Sequence, residues 1–390
     1  MGKWEMVRLG DVCEIVSGTT PSTNKPELWG GNIKWITPAE ITNDSYFIYD
    51  TERHITEKAG LKQMPAGTVL LSSRAPIGKV AIAANPMCCN QGFKNLICSD
   101  KIHNRYLYRY LKNQTANLNS LGRGSTFKEI SKPIVEAVEI PLPPLAIQQK
   151  IADILDHANA LIEKRRAQIE KLDLLVKSHF VEMFGDPVTN PMGWEVRKLA
   201  ELSTLITKGS SPNWQGINYV DDKNQVLFIT SENVREGFLD LSKEKHLENR
   251  FNDIQTRSIL QKNDVLINIV GASIGRAAVY DRDEKANINQ AVALVRCTDI
   301  VNIDYLCLYL NSPKALQMYG EMQVDAARAN LSLKNIADLQ IMFPPLALQN
   351  QFAAFLAQVE AQKAKLKKSL ALLELNYKSL MQKCFKGEMF

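Results

Sequence analysis

At 390 residues the chain exceeds what one hydrophobic core usually covers, so at least two domains are expected. Its 45% apolar and 23% charged side chains are those of a folded globular protein and exclude a disordered chain, a collagen-like repeat and a disulfide-stapled mini-fold. A net charge of +5 is compatible with a polyanionic partner but does not prove one, and seven cysteines without a CxxC pair argue against a disulfide framework or a zinc knuckle.

The opening MGKWEMVRLGDV lacks the apolar centre of a signal peptide, and no apolar run approaches the roughly 20 residues that cross a bilayer, so a cytoplasmic protein without a membrane partner is expected. Within residues 1–145, segments 68–71 and 79–83 predict strands on either side of a Gly-containing turn, and 104–113 carries Tyr and Leu at helical spacing. Pro143-Pro144-Leu145 ends this mixed α/β domain, and residues 146–186 predict a long helix. Its apolar rows are Leu155, Ile162, Ile169, Val176 and Met183, with Ile151, Ala158 and Leu172 alongside. Residues 187–345 predict a second mixed domain, with strands at 264–267 and 277–279 and a helix at 304–311. Pro344-Pro345-Leu346 then opens a second long helix, residues 346–390, with Phe352, Val359, Leu366, Leu373 and Leu380 in one row and Leu356, Leu370 and Tyr377 beside it. Two rows at heptad spacing form a narrow seam that one helix cannot bury alone, so the two helices are expected to pair as a coiled coil. Arg165, His179 and Lys363 interrupt the seams, either setting register or snorkelling to solvent.

The second half repeats the first. Trp4-Glu5 and Leu9 recur as Trp194-Glu195 and Leu199, Gly18 and Pro21 as Gly209 and Pro212, and Trp35-Ile36-Thr37 as Phe228-Ile229-Thr230. Ile77-Gly78-Lys79 recurs as Ile274-Gly275-Arg276, Asn90-Gln91 as Asn289-Gln290, Tyr106-Leu107 as Tyr305-Leu306, and Pro143-Pro144-Leu145-Ala146 as Pro344-Pro345-Leu346-Ala347. The matches stay collinear and the offset never shrinks, so each increase reads as a small loop insertion.

This anatomy resembles the specificity subunits of type I restriction-modification systems over nearly the whole chain. The resemblance rests on the Trp-Glu opening with its following Leu, the strand leading to Ile-Gly-Lys or Ile-Gly-Arg, and the Pro-Pro-Leu-Ala boundary, each present twice and followed by a heptad helix. One departure is Leu348-Gln349-Asn350-Gln351 where the first copy has Ile147-Gln148-Gln149. The resemblance implies an α+β protein with two target recognition domains, 1–145 and 187–345. Between and after them, conserved helices at 146–186 and 346–390 would form an antiparallel coiled coil. It further implies double-stranded DNA as ligand, with two modification subunits that use S-adenosylmethionine to methylate adenine and two restriction subunits as partners. This chain itself would hold no cofactor, metal or catalytic centre.

Two readers in one chain, related by a pseudo-twofold axis, suit a duplex whose strands run in opposite directions. A heptad helix over 151–184 measures roughly 50 Å at about 1.5 Å per residue, which caps the separation of reading centres at about 15 base pairs and predicts a bipartite target with an unread spacer. Residues common to both halves cannot distinguish different half-sites, so they should hold the fold or grip phosphate, while base readers should lie where the halves differ. Lys79 and Arg276, each beside a Gly turn, are candidate phosphate contacts or solvated turn charges. Asn90-Gln91 and Asn289-Gln290 could pair with adenine, but their recurrence favours backbone capping. In the first half the candidate base contacts are Thr19, Thr20, Ser22, Asn24, Arg74, Arg123, Ser125, Thr126 and Lys128. In the second they are Ser210, Ser211, Asn213, Gln215, Asn218, Asn233, Arg235, Ser273, Arg328 and Asn330.

No enzyme constellation emerges. The sequence has no GxxxxGK[ST] or HExxH motif, its five histidines are scattered, and Asn85-Pro86 and Asn190-Pro191 lack the second proline and aromatic that adenine methyltransferases place around a flipped base. Catalysis is therefore expected in the partners. The alternative is a coiled-coil structural adaptor that reads no DNA sequence, against which stand the two large loop-rich domains.

Overall fold

A computed structural model describes residues 4–122, 128–323 and 330–390 of the chain. The chain divides into two compact units, Met1–Ala167 with Lys368–Phe390, and Gln168–Lys367. Each long helix, Leu145–Phe184 and Leu346–Lys386, contributes one part to each unit.

In the first unit a five-stranded sheet runs in the order Cys13–Ser17, Lys94–Cys98, Val69–Leu71, Val80–Ala83, Phe47–Ile48. Val69, Leu70 and Leu71 are all buried, which explains why this strand reads as an unbroken apolar run rather than an alternating one. A three-stranded sheet (Arg53–Ile55, Trp29–Ile36, Cys88–Cys89) and the pair Met6–Arg8 with Glu139–Pro141 complete the β structure. The helix Asn104–Asn113 forms where its spacing predicts, with Tyr106, Leu107 and Leu111 in the core.

The second unit is built to the same plan. A four-stranded sheet runs Ser203–Lys208, Val292–Cys297, Asp264–Asn268, Ala277–Tyr280, the same order as the matching strands of the first unit. A second sheet contains Tyr219–Val220, His246–Leu247, Val226–Ile229 and Ala286–Ile288, and Glu195–Lys198 pairs with Gln340–Phe343. The helix Ile303–Leu310 starts at Asn302, whose side-chain oxygen accepts from the Asp304 and Tyr305 amides at 3.0 and 3.2 Å.

The repeated Pro-Pro-Leu boundary has one physical purpose in both units. Gln148, fully buried, donates to the Pro143 carbonyl at 2.8 Å and accepts from the His103 amide at 2.8 Å. Gln349 donates to the Pro344 carbonyl at 2.7 Å and accepts from the Asn302 amide at 2.9 Å. The glutamine thus ties the start of each long helix to the start of the shorter one, and the altered neighbours of Gln349 leave that link intact. Tyr106 and Tyr305 add matching tethers, donating to the carbonyls of Pro141 and Met342 at 2.7 Å.

The helices begin at the Pro-Pro-Leu boundaries, at Leu145 and Leu346, and run for 40 and 41 residues. Ile151, Leu155 and Ile162 are buried in the first unit, and Val176, Phe352 and Val359 in the second. Ile169, Leu172, Leu366, Leu373 and Leu380 are partly buried. Lys363 does not snorkel. It is 9% exposed and its ammonium meets Asp173 and Glu360, each at 2.6 Å, so the seam keeps this charge by neutralising it.

The first long helix is docked onto its unit by a charge cluster. Asp156 receives Arg105, Arg109 (2.7 Å) and the Tyr46 hydroxyl (2.7 Å). Burial alone would push the Asp156 carboxyl up, but hydrogen bonds from Arg105 and Tyr46 and the charge of Arg109 outweigh it and hold it below the usual carboxylate range. Five of the seven cysteines are buried, none forms a disulfide, and among the described residues no helix is long and apolar enough to cross a membrane.

Candidate nucleic-acid interface

Some of the recurring residues, Gly18, Ile36 and Asn90 with their counterparts Gly209, Ile229 and Asn289, meet in one loop cluster in each unit. Gly18 follows the first strand of its sheet and lies against the Asn90 carbonyl so closely that any Cβ would collide with it. Gly209 lies in the same way against the carbonyl of Ile288. Asn90 and Asn289 then close the turn: their side-chain oxygens accept from the amides of Gly92 (2.9 Å) and Ala291 (3.1 Å), and their own amides donate to Ile36 and Ile229 at 3.0 Å. The shared Gly and Asn are therefore scaffold, since both halves need the same close crossing of backbone.

Thr19, Thr20 and Arg74 lie beside this crossing: the Thr19 amide donates to the Cys89 carbonyl at 2.8 Å, and the Ser73 amide, next to Arg74, to the Gly92 carbonyl at 2.7 Å. Thr19, Ser22, Asn24, Arg74 and Lys128 are exposed and Thr20 is partly buried. The Thr20 hydroxyl donates to Gln91, and the Ser22 carbonyl accepts from the Trp29 indole at 3.1 Å. Trp29 packs edge-on against Trp35 at 4.9 Å, with the Arg53 guanidinium 3.8 Å above it, a rigid aromatic wall behind the loop. Lys79 is partly buried and its ammonium donates to the Pro38 carbonyl at 3.0 Å, tying two loops together.

In the second unit Asn213 and Asn218 are exposed, while Ser210, Ser211, Gln215 and Ser273 are partly buried. Gln215 donates to Ser210 at 3.3 Å, Asn218 to Glu248 at 2.9 Å, and the Ser273 hydroxyl accepts from Asn268 at 3.2 Å. Arg235 lies 3.5 Å from Asp240 and Arg276 lies 3.9 Å from Glu236. Asn330 is exposed and bridges to Val270. A cavity of about 200 Å³ opens between these loops, lined by Ser211, Pro212, Tyr219, Thr230, Lys245 and Gln290.

Asn233 requires a correction. It is 4% exposed; its oxygen accepts from the Thr230 amide (2.9 Å) and hydroxyl (3.0 Å), and its nitrogen donates to the Asp240 carbonyl at 3.0 Å. It holds the loop from inside and is no surface reader. Arg123, Ser125, Thr126 and Arg328 lie outside the described residues.

Sequence reasoning passed over two residues here. Trp214, 76% exposed, sits between Asn213 and Gln215 in the turn Pro212–Gln215, where an indole in a polar loop was the available signal. Glu129, partly buried, takes Arg74 at 2.9 Å and Lys94 at 3.3 Å. Burial would raise its carboxyl, yet those two hydrogen bonds hold it below the usual range. Among the described residues no cluster of His, Cys, Asp and Glu is placed to hold a metal ion.

A family model described as "Type I restriction modification DNA specificity domain" matches residues 1–171 and 191–375. The MjaIX type I restriction enzyme specificity subunit of Methanocaldococcus jannaschii is 40% identical over 231 residues, covering 54% of each chain. The EcoBI specificity subunit of Escherichia coli is 26% identical over 316 residues, covering 74% of this chain and 66% of that one. The alignment thus spans between about half and two thirds of those relatives' own lengths. Among solved structures, a chain from a type I R-M system matches with a TM-score of 0.64 at 19% identity, covering 99% of this chain and 98% of that one. The S subunit from M. genitalium matches with a TM-score of 0.58 at 15% identity, covering 98% and 96%. These two likenesses concern the fold, whereas the family model accounts for nearly all of both halves, and on that ground the chain belongs to the type I restriction-modification DNA specificity family.

Proposed function

We propose that this chain is the sequence-reading subunit of a type I restriction-modification complex. It binds double-stranded DNA at a bipartite target, one half-site per unit, with an unread spacer between them, and it has no catalytic centre of its own. Two modification subunits, which hold S-adenosylmethionine and methylate adenine, and two restriction subunits assemble on it in the cytoplasm.

The observation that carries this reading is the same loop cluster built twice in one chain, with shared residues spent on the backbone crossing and most of the unshared ones left at the surface. An antiparallel pairing of the long helices belongs to the same proposal. What supports it is crosswise core sharing: Ile151 and Leu155 share a core with Leu380 and Cys384 in the first unit, while Val176 and Phe180 share one with Phe352 and Val359 in the second. Opposite ends of the two helices meet in each case.

The test maps methylated adenines across the genome in cells with and without this chain, and measures binding of random and mapped duplexes by the chain with its modification subunits. A two-part motif that disappears with the chain, and binding that weakens steeply with salt, are expected. Salt-insensitive or absent binding together with an unchanged map would favour the structural adaptor instead.

A further inference from the structure

The duplication provides an internal control, because the same seat can be compared in both units. In the first, Arg74 bridges to Glu129; in the second, Val270 bridges to Asn330. The surrounding backbone matches: the Ser73 and Ile269 amides donate to the carbonyls of Gly92 and Ala291, and their own carbonyls accept from Ile130 and Leu331. Lys94, opposite Ser17 in the sheet, corresponds to Ala293, opposite Lys208. A trio of charges, Arg74, Lys94 and Glu129, is thus replaced by Val270, Ala293 and Asn330, none of them charged.

The trio has a specific geometry. Glu129 accepts Arg74 Nε through one oxygen at 2.9 Å and Lys94 Nζ through the other at 3.3 Å. Lys94 is 9% exposed in its side chain, whereas Arg74 is 47% exposed. The Nε bond fixes the plane of the guanidinium, and among the described residues neither Nη of Arg74 has a partner. With Nε taken by Glu129, the guanidinium keeps two parallel Nη N–H groups, the fork that matches O6 and N7 of guanine in the major groove. Bracing by Glu129 removes rotamer freedom before binding, and Lys94 offsets the carboxylate so that no net negative charge faces a phosphate backbone. Val270, 38% exposed, offers only a branched apolar surface, which suits the 5-methyl group of thymine and cannot donate to guanine.

We infer that Arg74, braced by Glu129, reads a guanine in one half-site, and that Val270 occupies the same seat over a thymine methyl in the other. This rests on the DNA-reading function proposed above and names the position at which the two half-sites differ in chemistry.

The test uses the full chain assembled with its modification subunits and duplexes carrying the target identified by methylation mapping. Each guanine is replaced in turn by 7-deazaguanine, which lacks the N7 acceptor, and each thymine by deoxyuridine, which lacks the methyl. The wild-type complex should lose about tenfold in affinity at one guanine of one half-site, and Arg74→Val should abolish that sensitivity. Glu129→Gln, which leaves Arg74 in place, should reduce it about threefold, and serves where Arg74→Val fails to fold. Deoxyuridine at one thymine of the other half-site should cost about threefold, lost in Val270→Ala. No sensitive guanine in either half-site of the wild type, or the same sensitivity in Arg74→Val, overturns the assignment of Arg74; an indifferent thymine scan overturns that of Val270. A complex that does not prefer the mapped duplex over a scrambled one defeats the DNA-reading function itself, which separates the two failures.

Discussion

The Lys363 ammonium lies 2.6 Å from Asp173 on the other long helix and 2.6 Å from Glu360 on its own, on a helix whose apolar row includes the buried Val359 and the partly buried Leu366. Burial would lower the lysine's affinity for its proton, but hydrogen bonds from the ammonium to the two carboxylates outweigh that and raise it. In a helix pair of the kind proposed above, such a buried charge would pin the register at some cost in stability. Asp173→Ala is expected to destabilise the second unit by about 1–2 kcal/mol, because Asp173 is half exposed and Glu360 remains. Lys363→Met should be neutral or stabilising. Urea midpoints of both variants decide this, and a Lys363→Met variant weaker than Asp173→Ala would contradict it.

Gly18 and Gly209 have no room for a methyl group. Each Gly→Ala substitution should cost about 1–3 kcal/mol, since backbone carbonyls rather than flexible side chains stand in the way. Gly320, exposed in the helix Pro313–Gln323 with nothing near its Cβ direction, is the control, and Gly320→Ala should be neutral or stabilising by up to about 1 kcal/mol. Thermal melts of the three variants would show whether this order holds.

Asn233→Ala leaves the Thr230 amide and the Asp240 carbonyl without partners inside the loop and should cost about 1–3 kcal/mol. The set of methylated sequences should not change, because the amide never reaches the surface. A shifted motif in the methylation map would restore Asn233 as a reader.

The Asp156 cluster sets a pH dependence. Its carboxyl titrates below the ordinary value of 3.8 when folded, so its contribution is fully present above that value and is lost as the pH falls below it through the lowered folded pKa. Asp156→Asn should therefore reduce stability near neutral pH by about 3 kcal/mol and flatten the acid limb of the stability curve below about pH 4. Parallel acid limbs for the wild type and the variant would show that Asp156 is not the titrating group.

If the target is bipartite as proposed, adding one heptad to both long helices should lengthen each by about 10 Å and widen the spacer by about three base pairs, leaving both half-sites intact. Methylation mapping of the lengthened chain reads this directly; an unchanged spacer would refute helix length as its ruler.

Periodic features were open to reading from residue order because they depend on neighbours close along the chain. The heptad rows through Ile151, Leu155, Val176, Phe352 and Val359, the Tyr-Leu spacing of Asn104–Asn113 and the strands around Gly78 and Gly275 all fall where local patterning puts them. The duplication made Gly18 and Gly209 conspicuous, and the close backbone crossing explains why both are glycine. The rule that unshared residues face DNA failed at Asn233 for an identifiable reason. Its counterpart Glu40 accepts from the Thr37 amide and hydroxyl at 2.7 and 3.1 Å, as Asn233 does from Thr230, so two different residues do the same internal work.

Composition, repeat and helical period thus established two like modules and two long heptad-patterned helices, since these follow from where apolar residues recur. Which polar side chains are spent inside and which stay free was decided by folding. Arg74 meets Glu129 across 55 residues of sequence, and Lys363 meets Asp173 from another helix, and a partner that distant leaves no trace in local order.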